Sequence, residues 1–272
     1  MPTITTPAPR KRRAAHPLLT IPATVVARRW LTPRMVRLRI HSEHMGDFVR
    51  PFDPDQFLTA IFPRPGQELI DLKPDFDWHY FYALAPELRP QARNYTIRDS
   101  DLDALTVDVD ILVHGGPGLG EQWATKVQPG APLFLWGPRV AYNPFPNAEF
   151  SLLFCDECGV PAAAAIIESL PANATGRLIA EVKDPSAIPP MPSHPGIEVE
   201  WIFSGGAEPG ETRGLLEAVE CLSVPEALVY AWGGGEMESM RQIGRYLRRT
   251  WGLKTSSISA TGYWRDGVSV ED

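Results

Sequence analysis

Two short segments concentrate the side chains that can do chemistry. Residues 93–98 read Arg-Asn-Tyr-Thr-Ile-Arg, and Val113-His114-Gly115-Gly116 begins 18 residues after Tyr95. Arg93 and Tyr95 are two apart, so on a strand they share a face. A planar guanidinium fork suits a pyrophosphate, and the ring of Tyr95 can lie against a flat heterocycle such as isoalloxazine. Thr96 adds a hydroxyl for the polar edge of that ring. Strict alternation puts Thr96 on the opposite face, so the contact needs a twisted strand end or the Thr96 backbone. His114 ends a strand and leads through Gly115, Gly116, Gly118 and Gly120 into a short helix holding Trp123 and Ala124. Bare backbone lets a phosphate approach, and a helix N-terminus supplies N–H groups. The chemistry implied is the binding of a flavin dinucleotide, although the tetrapeptide taken alone also reads as an ordinary exposed strand.

Two further segments lie at strand-to-helix turns. Cys155-Asp156-Glu157-Cys158 has the spacing of a redox dithiol or of half a zinc site, but the chain has no second pair, and two small residues at a tight strand–helix turn are the favoured reading. Trp232-Gly233-Gly234-Gly235-Glu236 ends a strand and opens a helix. In a parallel α/β sheet ligands bind at the carboxyl ends of strands, and glycines there let a nicotinamide or phosphate come close. The helix that follows carries an apolar stripe of Met240, Ile243, Leu247 and Trp251 beside a row of Arg241, Arg245 and Arg248. That row can receive an anion, or it can be a solvated face matched to the helix C-terminal dipole.

The elements that must position these residues fall into two groups. Period-2 alternation at Thr24–Arg28 and Met35–His41, then Phe57–Phe62, Arg93–Arg98, Thr106–His114 and Pro132–Trp136, predicts six short strands with one helix near Glu121–Lys126. Such strands imply an antiparallel barrel. After residue 146 strands alternate with helices: strand Ser151–Cys155, helix Pro161–Leu170, strands Arg177–Val182 and Ile197–Phe203, helix Thr212–Val219, strand Ala227–Trp232, helix Glu236–Trp251 and strand Ser256–Gly262. That alternation predicts a parallel α/β sheet. The expected organisation is a disordered basic tail over 1–16, a β-barrel domain over 17–146 and an α/β nucleotide-binding domain over 147–272.

Composition narrows the function. The 272 residues suffice for two ordinary domains, and 44% hydrophobic with 22% charged residues suits a globular protein. A net charge of −7 gives nucleic-acid binding no global support. No apolar run approaches the roughly 20 residues a membrane helix needs. Three cysteines, at 155, 158 and 221, make no disulfide framework and suit a reducing cytoplasm. No metal site is expected.

In their order along the chain, these segments resemble the siderophore-interacting protein family, flavin-dependent ferric-siderophore reductases of the ferredoxin-reductase-like superfamily. The resemblance runs from about Val25 to Gly267 and includes Leu31-Thr-Pro-Arg-Met-Val-Arg, Arg93-Asn-Tyr-Thr, Asp110-Ile-Leu-Val-His-Gly, Trp123-Ala, Gly137-Pro, Asp156-Glu157, Leu170-Pro-Ala, Gly234-Gly235-Glu236 and Gly262-Tyr-Trp-Arg. It implies that Arg93, Tyr95 and Thr96 bind the flavin of FAD, that His114 and Gly115 lie against it, and that Gly118, Gly120, Trp123 and Ala124 belong to the turn and helix receiving its phosphates and adenosine side. It implies that Asp156, Glu157, Cys158, Trp232, Gly234, Gly235 and Glu236 face NAD(P)H, with Tyr263 and Trp264 near the flavin. Departures include Glu121 in the phosphate turn, a carboxylate that would repel a pyrophosphate unless it points away, and Cys158 where the family carries a hydroxyl. The expected reaction passes a hydride from NAD(P)H to FAD and then single electrons to the chelated iron of a ferric siderophore. Arg241, Arg245, Arg248, Lys254 and Arg265 form the basic face expected to dock that anionic partner, and a cytoplasmic monomer is expected. The alternatives are a flavin reductase serving another acceptor and a flavin-free binding protein.

Overall fold

The structure, a computed structural model, describes residues 17–50, 53–70, 72, 76, 78–116, 118–207 and 213–265. The basic tail expected over 1–16 lies outside the described residues. The chain divides into two compact units between Val140 and Ala141.

The first unit is a closed barrel of six strands in the order β1-β2-β5-β4-β3-β6, all pairs antiparallel. The strands are β1 (Leu19–Thr32), β2 (Met35–His41), β3 (Gln56–Phe62), β4 (Gln91–Asp101), β5 (Thr106–Leu112) and β6 (Pro132–Val140). Alternation sets what faces in. Val36, Leu38 and Ile40 of β2 and Val107, Val109 and Ile111 of β5 belong to the barrel core. The residues between them face outward as a charge ladder in register, with Arg37 opposite Asp110 and Arg39 opposite Asp108. Arg37 donates Nε and Nη2 to the two Asp110 oxygens at 2.6 and 2.7 Å, and Arg39 grips Asp108 in the same way at 2.8 and 2.9 Å. A slip of one residue would bury these charges, so the pattern fixes the register.

Among the described residues three short α-helices decorate the barrel: α1 (Met45–Phe48), α2 (Trp78–Ala83) and α3 (Leu119–Lys126). Only α3 was expected. The other two are too short to show a helical period, and burial holds them: Met45 and Phe48 sit in the barrel core, and Phe81 packs with Ile61, Leu72 and Phe134. Strand β5 ends at Leu112 rather than His114, so His114 lies in the turn that leads to α3.

The second unit is a five-stranded parallel sheet in the order β11-β10-β7-β8-β9. Its elements are β7 (Phe150–Cys155), α4 (Val160–Ser169), β8 (Thr175–Val182), β9 (Ile197–Phe203), α5 (Gly214–Glu220), β10 (Val229–Glu236), α6 (Met237–Arg249) and β11 (Ile258–Trp264). Successive residues of a strand serve opposite faces. Leu153 and Cys155 pack with Ala163, Ile166 and Ile167 of α4, whereas Leu152 and Phe154 pack with Val219 of α5 and Met240, Ile243 and Leu247 of α6. The two layers explain the near-continuous apolar reading of β7, as expected for a strand covered on both sides.

The charge ladder is a stability test. Arg37 and Asp110 have side chains only 14% and 4% exposed. Removing one partner strands a partly buried charge, so Asp110→Ala is expected to destabilise the barrel by about 3 kcal/mol in urea unfolding. Replacing both residues by apolar ones of similar volume should cost less than this single change.

Candidate functional site

Strand β4 delivers Arg93 and Tyr95 on one face, opposite Ala60 and Leu58 of β3. The start of α3 meets them there. A Cβ built on Gly120 would lie 2.7 Å from Tyr95 Oη and 3.2 Å from Arg93 Cγ, so a side chain at 120 would require Tyr95 and Arg93 to shift. Three of the residues expected to bind a flavin dinucleotide therefore converge on one point. Arg93 donates Nη1 to the carbonyl of Ala92 at 2.9 Å, which folds the guanidinium back along its own strand. The leading N–H groups of α3 have no partners within the helix. A planar cation, a phenol and a bare helix start together form a cradle suited to the diphosphate and ring of FAD.

The rest of the turn is shaped by its own side chains. The His114 ring lies over Gly116, where a Cβ would be 2.5 Å from the ring. Glu121 bends back from α3 and accepts the backbone N–H groups of Gly115 at 2.7 Å and His114 at 3.1 Å. Trp123 stacks on Phe62 with ring centroids 4.2 Å apart and planes 14° from parallel. Ala124, expected beside the cofactor, is fully buried in the barrel core, one turn beyond Gly120 on the inward face of α3. Thr96 is 8% exposed and, as alternation requires, does not share the face of Arg93 and Tyr95. Gly118 is exposed ahead of α3.

In the α/β unit the expected nucleotide residues come together at the carboxyl ends of β7 and β10, and most are engaged with each other. Asp156 is the hub. Its Oδ1 accepts the Cys158 N–H at 2.8 Å, and its Oδ2 accepts the Glu236 N–H at 2.8 Å and the Trp264 indole N–H at 2.9 Å. Burial pushes its pKa up to about 6, against the opposing pull of these hydrogen bonds. Glu157 accepts the Lys183 N–H, and Glu236 caps α6 by accepting the Ser239 N–H. Each central glycine makes room for one of the chain's own side chains: Gly233 for Phe154, Gly234 for the Tyr263 ring and Gly235 for the Asp156 carboxylate. Trp232, expected to face the nucleotide, lies in the core of the α/β unit. It is 1% exposed and packs on the α4 side, because β10 is covered on both faces. Cys155 is fully buried, and burial raises its thiol pKa, the opposite of the lowered value an attacking thiol of a redox pair needs.

The basic face is less available than its sequence suggests. Arg245 and Arg241 both turn to Glu238, at 2.8 and 3.9 Å. Arg248, Lys254 and Arg265 are exposed. A different cation was missed. Arg139 of β6 donates Nη2 to Thr59 Oγ1 at 2.7 Å and to Asn94 Oδ1 at 2.8 Å. Its guanidinium carbon lies 4.3 Å from the centroid of the Phe57 ring and 4.7 Å from that of Trp136. Its Nε is buried without a hydrogen-bond partner, and no carboxylate pairs with it among the described residues. Burial lowers its pKa, as expected for a cation with no counter-charge. The only signal in the sequence is an arginine near a tryptophan. Its partners arrive from β3 and β4 through strand register.

Both units of the chain are similar to known proteins. Residues 24–142 match the siderophore-interacting FAD-binding domain, and residues 148–267 match the siderophore-interacting protein domain. The ferric vibriobactin reductase ViuB of Vibrio cholerae is 32% identical over 260 residues, covering 90% of this chain and 89% of that protein. The crystal structure of a siderophore utilization protein from T. fusca superposes with a TM-score of 0.83 at 32% identity, covering 93% of this chain and 95% of that one. A ferredoxin reductase in carbazole 1,9a-dioxygenase shares the fold, with a TM-score of 0.65 at 19% identity over 92% of this chain and 71% of that one.

Asp156 gives a pH signature. Its folded pKa, about 6, lies above the ordinary value of 3.8. Between those values the folded chain holds a proton that the unfolded chain releases, so this group stabilises the fold as pH falls through 6. The gain is complete near the ordinary carboxylate value. Urea unfolding across this range should show wild type gaining on the order of 2 kcal/mol relative to Asp156→Asn on acidification.

Proposed function

The chain belongs to the siderophore-interacting protein family, and from that premise we propose that it is an FAD-dependent reductase that takes electrons from NAD(P)H and delivers them to ferric siderophores. The observation that carries the reading is the cradle of Arg93, Tyr95 and Gly120 in a domain of the FAD-binding type. FAD, when bound, supplies the redox chemistry, turning a two-electron donor into a source of single electrons. The balance is one NAD(P)H and two Fe(III) giving NAD(P)+, a proton and two Fe(II). Iron then leaves because Fe(II), less highly charged, is held less tightly by hard oxygen ligands.

The protein's own residues bind and orient. Arg93 and the start of α3 would hold the diphosphate of FAD, and Tyr95 would lie against its ring. The carboxyl ends of β7 and β10 receive the reduced nicotinamide, where ligands of parallel sheets sit. In that unit Asp156 fixes Trp264 and the start of α6, so the strand ends are rigid before a nucleotide arrives. Arg139 is the better candidate for the anionic chelate than the α6 row, because no carboxylate neutralises it among the described residues, whereas Arg241 and Arg245 share Glu238. The aromatic faces beneath Arg139 hold its side chain in place and add cation–π attraction.

Purified protein with FAD, NADH or NADPH, a ferric siderophore and a ferrous trap should give trapped Fe(II) at twice the nucleotide consumed. Arg139→Gln should raise KM for an anionic chelate roughly tenfold, as expected for loss of a charge-assisted contact, and leave nucleotide-dependent flavin reduction unchanged. Nucleotide oxidation without Fe(II) release would remove the ferric acceptor from the assignment.

A further inference from the structure

Glu121 occupies the first turn of α3, where a carboxylate beside a diphosphate should be unfavourable by Coulomb's law. It does not project toward the trio at Gly120. Its Oε1 accepts the Gly115 N–H at 2.7 Å, its Oε2 accepts the His114 N–H at 3.1 Å, and Oε2 lies 3.4 Å from His114 Nε2. The side chain is 10% exposed. Gly115 has a φ of 87°, a left-handed conformation that glycine adopts without strain. Two adjacent backbone N–H groups in such a turn form a natural anion site, and here the anion filling it comes from the protein itself. The contact joins the turn after β5 to the helix whose start meets Arg93 and Tyr95.

We propose that Glu121 is a positioning residue for FAD, a carboxylate clamp that ties the His114–Gly115 backbone to the first turn of α3. The clamp satisfies the donors of the turn and sets the angle at which α3 presents Gly120 to Tyr95. Diphosphate recognition is thereby left to Arg93 and the leading N–H groups of the helix. The inference rests on the FAD-binding role of the barrel and adds a chain-specific residue to it. It also reverses a sign: charge alone makes Glu121 harmful to FAD binding, and the clamp makes it helpful.

The test uses the full chain freed of flavin and titrated with FAD, followed by flavin fluorescence and the visible spectrum. Glu121→Gln keeps the size but loses the charge and one acceptor, and Glu121→Ala loses the clamp. Both should weaken FAD binding roughly tenfold or more, in line with the loss of charge-assisted hydrogen bonds. Added acetate should restore part of the affinity of Glu121→Ala by filling the emptied N–H pair, and chloride at equal ionic strength should not. Hydrogen exchange of the flavin-free wild type needs no variant: the His114 and Gly115 amides should be protected. Unprotected amides there overturn the clamp. So does equal or tighter FAD binding by the variants, or an acetate effect that chloride reproduces. Wild type that binds no FAD at all would instead remove the cofactor reading beneath the inference.

Discussion

The barrel site depends on the close approach of α3 to β4 at a position with no side chain. Gly120 lets a helix start sit against Tyr95 and Arg93, and a single methyl there would lie within 2.7 Å of the Tyr95 hydroxyl oxygen. That approach in turn requires β4 to present Arg93 and Tyr95 on one face, and it requires the turn from Leu112 to α3 to hold its shape. The first condition is met by strand alternation and the second by Glu121 and by the His114 ring over Gly116. Remove the approach, and an arginine, a tyrosine and a helix N-terminus remain, but they no longer form one surface.

The α/β unit solves a different problem. Its strand ends carry acids, glycines and aromatics, which in isolation read as ligand contacts. Most of them bond or pack to each other: Asp156 with Trp264 and the Glu236 backbone, Gly234 with Tyr263, Gly233 with Phe154. A buried carboxylate serving three donors in a unit of this size is a rigid junction, since each donor lost would leave an unsatisfied buried group. Such a junction joins β7, the start of α6 and the end of β11, the elements that border the proposed nucleotide site.

Much of this was legible in the sequence for identifiable reasons. Alternation at Met35–His41 announced an inward apolar face and an outward charged one, and the stripe from Met240 to Trp251 announced which side of α6 is buried. The Arg93–Tyr95 spacing fixed their shared face. What stayed hidden depends on partners distant in the chain. Nothing local says that Arg139 stands over Phe57 and beside Asn94, because strand register supplies both. Nothing local says that Glu121 turns toward His114 rather than toward the trio, or that Trp232, in a run ending in three glycines, faces the core. Nor does the row of arginines on α6 show in the sequence that Arg241 and Arg245 both turn to Glu238 on the same helix, which competes with any ligand for them.

The central claim joins the barrel cradle to a ferric acceptor, and one measurement addresses both. The full chain is loaded with FAD, reduced anaerobically and mixed with a ferric siderophore in the presence of a ferrous trap. The account predicts that the oxidised flavin spectrum returns as two Fe(II) are trapped for each flavin, and that Gly120→Ala fails to take up FAD. A reduced chain that keeps its flavin and leaves the ferric siderophore untouched, or a Gly120→Ala chain that binds FAD as tightly as wild type, would contradict it.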